Sequence, residues 1–309
     1  MKVVVYHRSI PNAKNREKVD LLRYFSQGIT AAGDQVVDEQ GYTYHSADVG
    51  VIQGWLSEQV NSSAHQQLRQ TVINSQLATN KQVVTADSNL FLYSAPGNPD
   101  HYLRYSFNGV FPKTGNYCDS EINPTRWQKI SKDHNIALKP YRTNGNHILL
   151  CLQRNGGWSM GSYDILDWAA NAILELRKYT DRPIVIRPHP GDKSARVHIG
   201  EFDNNKLLRN VTVSHAGSEL RDDLRGCWAV INHNSSPVVG AAIEGYPIFV
   251  TDYTKSQCRE IANTDLSQIE TPVLFDRQNW VERISMFHWN FEELKSGECW
   301  RHMRRYIGK

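Results

Sequence analysis

Residues 228–251 read WAVINHNSSPVVGAAIEGYPIFVT, and the order of residue types in this stretch decides the fold. The apolar run Trp228–Asn232 has the length of a buried strand and ends in a polar turn, His233-Asn234-Ser235-Ser236. Ser236 is a residue type that caps helices, and Pro237 suits a first helical turn, where its missing N–H costs nothing. Small and apolar residues continue to Glu244; Gly245 stands where a helix C-cap glycine belongs, and Pro247 bars continuation. Pro247–Thr251 is apolar again and reads as another strand. Strand, helix and strand in this order imply a parallel sheet covered by helices.

The same alternation extends upstream. His147–Leu152 reads as a strand, followed by the glycine loop Arg154-Asn-Gly-Gly-Trp158. Ser162 is placed to cap a helix whose apolar residues Ile165, Trp168, Ala169, Ala172, Ile173 and Leu176 form one stripe. Pro183–Arg187 and Val211–Ser214 read as strands, with a short helix at Glu219–Arg225.

Nearer the start, strands are expected at Val3–Tyr6, Gln35–Asp38, Asp48–Trp55 and Gln82–Ala86. Helices are expected at Lys18–Ile29, with Val19, Leu22, Phe25 and Ile29 in period, and within Ser57–Thr79. Ser88–Asn146 breaks the pattern, being rich in Pro, Gly, Asn and aromatics, with one helix at Thr125–His134. A domain boundary is therefore expected near Tyr141–Asn146. The resulting fold class is α/β: two Rossmann-like, doubly wound domains, 1–145 and 146–309, facing a central cleft.

Ligands of open α/β sheets sit beyond the carboxyl ends of the strands, so the residues just after each strand are the candidates. In the second half these are Arg154 with Gly156 and Gly157, the stiff loop Arg187-Pro-His-Pro-Gly-Asp192, and the turn Asn234-Ser235-Ser236. A helix N-terminus with two hydroxyls suits a phosphate; so do glycines that admit close backbone approach, an imidazole fixed between prolines at His189, and the forked donors of Arg187. Each also has a bland reading: Ser236 as a cap alone, His189 as a satisfied turn histidine.

R-P-H-P-G-D at 187–192, followed by N-S-S-P-x-V-x-x-A-I-E-G-x-P-I-F-V from Asn234, resembles the C-terminal domain of GT-B glycosyltransferases. The resemblance is to capsule- and phage-type members that share an H-P element and a Ser-Ser element. It extends to the tail, through Ile269-Glu-Thr-Pro272, Asp276-Arg-x-x-Trp280 and Trp289-Asn-x-Glu-Glu-Leu-x-Ser-Gly-Glu-x-Trp300, which looks like the closing helices of phage-encoded members. It implies that His189, Ser235 and Ser236 bind the nucleotide phosphates of a sugar donor. Arg154 is the candidate to neutralise the leaving phosphates. Many members hold the ribose with a glutamate where this chain has Gly240; Glu244, one turn on, either takes that role or only ends the helix.

In this architecture the first domain supplies the acceptor site and a base. Asp87, right after strand Gln82–Ala86, is the first choice, with His7, Asp100 and His101 as alternatives. Arg8, Asp100, His101 and Arg104 are the acceptor-binding candidates, Arg104 lying among aromatics in Tyr102–Gly109, read as a loop. No D-x-D motif occurs, so no metal or other cofactor is expected beyond the nucleotide sugar, a co-substrate.

Composition narrows the class. Of 309 residues, 40% are hydrophobic and 22% charged, which fits a folded chain and excludes disorder. Five scattered cysteines with no C-x-x-C suit buried thiols rather than disulfides or zinc. The apolar start, Val3–Tyr6, is too short for a signal-peptide core and no run reaches membrane-spanning length, so the expected location is cytoplasmic, a host's cytoplasm for a phage protein. A net charge of +3 leans weakly towards anionic partners. The acceptor first expected is a 5-hydroxymethylpyrimidine in double-stranded DNA. A surface polysaccharide or lipopolysaccharide, a nucleotide-sugar epimerase and a non-catalytic nucleotide-binding module are the alternatives.

Overall fold

The computed structural model describes residues 1–10, 16–56, 63–91, 101–154, 159–161, 163–192, 209–215 and 217–308. They form two compact units: Met1–Ile136 with Glu282–Lys309, and Ala137–Val281.

In the first unit, β1 (Lys2–Tyr6) leads through a 3-10 turn to α1 (Arg16–Ala31), then β2 (Gln35–Glu39), β3 (Val49–Gln53), α2 (Ala64–Ala78) and β4 (Gln82–Asp87). After β5 (Leu103–Phe107) comes α3 (Pro124–His134), capped by Asn123, whose side chain accepts from the Thr125 N–H. Strands β1 to β4 are parallel and in the order β4-β3-β1-β2, while β5 runs antiparallel beside β4. Alternation along β1 divides the core in two. Val3 and Val5 meet Leu22, Phe25 and Ile29 of α1, whereas Val4 and Tyr6 meet Leu68, Val72 and Ile73 of α2.

The second unit repeats the design: β6 (His147–Cys151), α4 (Ile165–Leu176), β7 (Ile184–Arg187), β8 (Val211–Val213), α5 (Leu220–Leu224), β9 (Cys227–Asn232), α6 (Pro237–Ile243) and β10 (Ile248–Val250). Its sheet is wholly parallel, in the order β10-β9-β6-β7-β8. The six apolar residues expected to form the α4 stripe are all buried, against Ile148, Leu150, Ile184, Ile186, Ala229 and Ile231. Asp164, not Ser162, caps that helix, accepting from the N–H groups of Leu166 and Asp167; Ser162 lies outside the described residues. Gly245 adopts φ +91°, and a Cβ there would stand 2.1 Å from the Pro140 carbonyl oxygen, so both conformation and space demand glycine.

The expected division into 1–145 and 146–309 differs from the structure at both ends. The first unit stops at Ile136, and the tail returns to it. From α7 (Gln278–Ser285) the chain continues into β11 (His288–Trp289), α8 (Phe291–Lys295) and α9 (Glu298–Met303). β11 extends the first sheet beside β5, pairing His288 with Arg104 and Trp289 with Leu103. Phe291, Leu294 and Trp300 then cover the α1 face of the core. The contact between α1 and α8 is backbone to backbone: a Cβ on Gly28 would stand 1.9 Å from the Leu294 carbonyl oxygen, and one on Gly297 would stand 2.5 Å from that of Gly28.

The other correction is β5. Tyr102–Gly109 is not a loop, and Leu103–Phe107 is a strand buried along its whole length. Its polar residues misled because they bond internally: Arg104 to Asp87, and Ser106 to the Gly109 carbonyl. All five cysteines are buried free thiols. No helix among the described residues is long and apolar enough to cross a membrane.

Candidate functional site

Because the second sheet is parallel throughout, the turns that follow its strands all emerge at one edge. Arg154 follows β6, His189 follows β7, and Asn234, Ser235 and Ser236 follow β9. β6 lies between β9 and β7, so the histidine and serine loops rise on either side of the strand that carries Arg154. Strand spacing of about 4.8 Å puts β7 and β9 about 10 Å apart.

The His189 ring is fixed by its own loop. Its Nδ1 accepts from the Gly191 N–H at 3.0 Å, which assigns the proton of the neutral ring to Nε2. Burial, then the positive charge of Arg154, lower its pKa against a smaller opposing effect of Asp192. The ring is thus a neutral donor near an exposed guanidinium. Gly191 permits this curl, since a Cβ there would stand 3.1 Å from the ring.

The β9 turn is held from within. Asn232 donates through Nδ2 to the Ser235 carbonyl at 2.7 Å and to its Oγ at 2.8 Å. Gln153 and Asn234 exchange two bonds, Asn234 N–H to Oε1 at 2.8 Å and Gln153 Nε2 to Oδ1 at 2.9 Å, which tie the β6 and β9 turns together. Asn234 is therefore a buried strut rather than a ligand contact. Ser236 occupies the N-cap position in helical conformation, but its side chain makes no capping bond, contrary to the sequence expectation. Its hydroxyl, half-buried, is left for something other than the helix.

Two donor-site candidates lie elsewhere or are engaged. Glu244 ends α6 at the edge opposite the Ser235-Ser236 turn, about 12 Å along the helix from Ser236, and is paired with Lys139. It ends the helix, with its carboxylate engaged by Lys139. The Arg187 guanidinium is bonded to Asp223 and, at 3.1 Å, to the Ser218 carbonyl. That makes it a buttress of the β7 end, because its charge is already met. Gly156 and Gly157 lie outside the described residues.

In the first unit, the acceptor and base candidates separate. Asp87 is in a largely buried ion pair with Arg104, side chains 11% exposed each. Burial lowers the Arg104 pKa, but the Asp87 charge, Tyr117 and the hydrogen bond to Asp87 together outweigh it and the pKa is raised. The pairing engages the charges of both candidates with each other. His101 is buried, its ring 6.1 Å from that of Phe291, and so is part of the packing under α8. Asp100 lies outside the described residues. Arg8 is exposed, donating from Nε to the Gln40 carbonyl at 3.1 Å.

His7 is differently placed. Just beyond β1, its Nε2 is 2.7 Å from Oδ1 of Asp38, whose Oδ2 accepts from the Ser26 hydroxyl at 2.9 Å. A carboxylate can only accept, so Nε2 carries the proton and Nδ1 the basic lone pair. Sequence reasoning missed Asp38 because β1 and β2 bring it beside His7 only through their parallel register, Tyr6 opposite Glu39. It also missed Arg69, buried on α2. The sequence places Leu68, Val72, Ile73 and Leu77 on one side of α2; the first three are buried and Leu77 is exposed, while Arg69 and Gln76 occupy the buried face too. Among the described residues no group of three or more His, Cys, Asp or Glu side chains is arranged to hold a metal.

No known family model matches the sequence, and no curated protein does. Solved structures do. The chain is similar to the beta Kdo 2,4 transferase of Thermosulfurimonas dismutans KpsC, with TM-score 0.57 and 14% identity over 94% of this chain and 92% of that one. It is also similar to the beta Kdo 2,7 transferase of the same organism's KpsC, with TM-score 0.54 and 15% identity over 99% and 100%. At such identities the likeness is one of architecture, and the chain has the GT-B fold of these transferases, built from two Rossmann-like units.

Proposed function

We propose that the protein is a glycosyltransferase that takes a sugar from a nucleotide-sugar donor held by its second unit. The observation that carries this reading is the edge shared by Arg154, His189 and Ser236: a cation, a neutral N–H donor fixed by its own loop, and a hydroxyl not spent on its helix. Together they suit the phosphates of a nucleotide, whose negative charge grows as the sugar leaves. The GT-B fold supports the same reading.

In the first unit, His7 replaces Asp87 as the base. Asp38 orients its ring and stabilises the imidazolium that forms when Nδ1 takes the acceptor's hydroxyl proton. For the acceptor, the similar folds are those of Kdo transferases, which favours a saccharide hydroxyl. Hydroxymethylpyrimidine in DNA retains only the weak positive charge in its support.

The test is incubation with a panel of nucleotide sugars and, separately, a bacterial surface glycan or hydroxymethylated duplex DNA, scoring released nucleotide. Release that depends on the glycan is expected. Release that depends on the DNA would move the acceptor back to nucleic acid. An isomerised donor without acceptor would make the protein an epimerase, and no release with any donor would remove the transferase reading.

A further inference from the structure

The first unit holds a buried cation with no counter-ion among the described residues. Arg69 is 7% exposed, yet among the described residues no carboxylate lies within ion-pair distance of it. Among the described residues its guanidinium is bonded to neutral oxygens. Nε donates to the Ser9 carbonyl at 2.7 Å, Nη1 to that of Trp55 at 3.2 Å, and Nη2 to Oε1 of Gln53 at 3.4 Å. These acceptors stand at the carboxyl ends of β1 and β3, the edge where open α/β sheets bind ligands.

An unpaired charge in such a place is costly, and proteins keep one where something else supplies the opposite charge. Burial lowers the Arg69 pKa to about 10 against the pull of Asp87, so the group stays charged at neutral pH. Asp87 cannot serve as the counter-ion, because it is bonded to Arg104. Asp87 is thus bonded to one guanidinium and only within electrostatic reach of the other, and among the described residues no carboxylate is bonded to Arg69.

The guanidinium is also presented for use. Three of its five N–H groups are spent on the bonds above, leaving one on each Nη. Gly54, at φ +80°, lies against it, where a Cβ would stand 3.1 Å from Nη2 and 3.2 Å from Cζ and Nη1. Glycine lets the strand end pass flush with the guanidinium, and the three bonds fix its plane in advance. A rigid fork of this kind recognises carboxylate or phosphate.

We propose that Arg69 anchors a binding site for the acid group of an acidic saccharide, so that the acceptor of the proposed transfer carries a carboxylate or phosphate. This rests on the transferase reading for the word acceptor, but the anion site itself does not.

The experiment is thermal melting of the whole chain with sodium glucuronate, glucose 6-phosphate or glucose, at matched ionic strength. Either acid, and not glucose, is expected to raise the melting temperature. The more effective of the two identifies the acid group. Arg69→Met should abolish the rise, and Arg69→Lys, which keeps charge but loses the fork, should raise the half-saturating concentration about tenfold or more. His189→Ala should leave the glucuronate effect intact, since it lies in the other unit. Absence of a rise with both acids, or a rise that survives in both Arg69 variants, overturns the proposal. Binding of UDP and CMP, measured in parallel, separates the two readings: if both nucleotides fail to bind while glucuronate binds through Arg69, the transferase assignment falls and the anion site stands.

Discussion

Arg126 and Glu293 grip each other by two bonds across the chain: Nη1 donates to Oε1 at 2.5 Å and Nη2 to Oε2 at 3.3 Å. The guanidinium also lies 3.9 Å from the centre of the Trp289 ring. Both partners are buried, so removing Glu293 strands the Arg126 guanidinium without its carboxylate. Glu293→Ala should cost about 3–5 kcal/mol of unfolding free energy, read from the denaturant midpoint. The double variant Arg126→Met/Glu293→Leu should recover most of that loss. A single-variant cost below about 1 kcal/mol, the size of a surface pair, would show that the grip is idle.

Gly28 offers a test of the α1–α8 contact that involves no charge. A methyl group there would meet the Leu294 carbonyl oxygen at 1.9 Å, so the helices must part. Gly28→Ala should destabilise by about 1–3 kcal/mol, the usual penalty of overpacking, although alanine is the better helix former. Greater stability in Gly28→Ala would contradict the packing described.

Acid should loosen the first unit through His288. Its Nδ1 donates to the Ile284 carbonyl at 2.7 Å and its Nε2 accepts from the Leu90 N–H at 3.2 Å, so the ring is neutral and wholly enclosed. Burial, chiefly, pushes its pKa down from 6.5 to about 3. The folded-state pKa is depressed, so the stability is full above about pH 6.5. It is lost as pH falls from there towards 3, by up to about 1.4 kcal/mol per pH unit, because only the unfolded chain takes up the proton. His288→Gln should flatten the pH dependence of the midpoint by close to one proton; an unchanged slope would show that this ring is not responsible.

Nucleotide binding should respond to a residue with no side chain. Gly191→Ala places a methyl 3.1 Å from the His189 ring and displaces it. Affinity for UDP or CMP should fall about tenfold or more in this variant and in His189→Ala alike, the worth of one hydrogen bond to a charged group. Calorimetry measures it. Unaltered affinity in both would reduce the loop to a turn.

Asp38 should govern turnover without touching the donor. Asp38→Ala removes the acceptor that sets the His7 tautomer. A drop in kcat of about 100-fold or more, with the donor KM unchanged, is expected if His7 is the base. A KM effect alone would place the pair in binding.

Much of the fold was legible because helices and parallel strands declare themselves locally. The α4 stripe from Ile165 to Leu176 and the glycine stop at Gly245 were read at the residues where they occur. What escaped depends on partners far away in sequence. Arg104 read as a loop residue until Asp87 neutralised it, and the β11–α9 tail read as part of the nearer domain until Trp289 paired with Leu103. The loops proposed to hold the donor were visible at His189 and Ser236 because strand ends are predictable. Glu244 stood one turn beyond the family position at Gly240 as an alternative ribose ligand, and the helix carries it to the far edge and Lys139. Polar residue type hid Arg69, which shares a helical face with Val72 and Ile73.

The discontinuous first unit has a consequence for how the chain is made. Its sheet is nearly all synthesised early, but the strand and helices that seal one face leave the ribosome only after the whole of Ala137–Val281. The second unit is contiguous and can fold during translation, while the first must wait with Leu22, Phe25 and Ile29 uncovered by Trp300. Truncation near Glu282 should therefore damage the half of the molecule furthest from the cut in sequence, and the nascent first half is where a chaperone would bind.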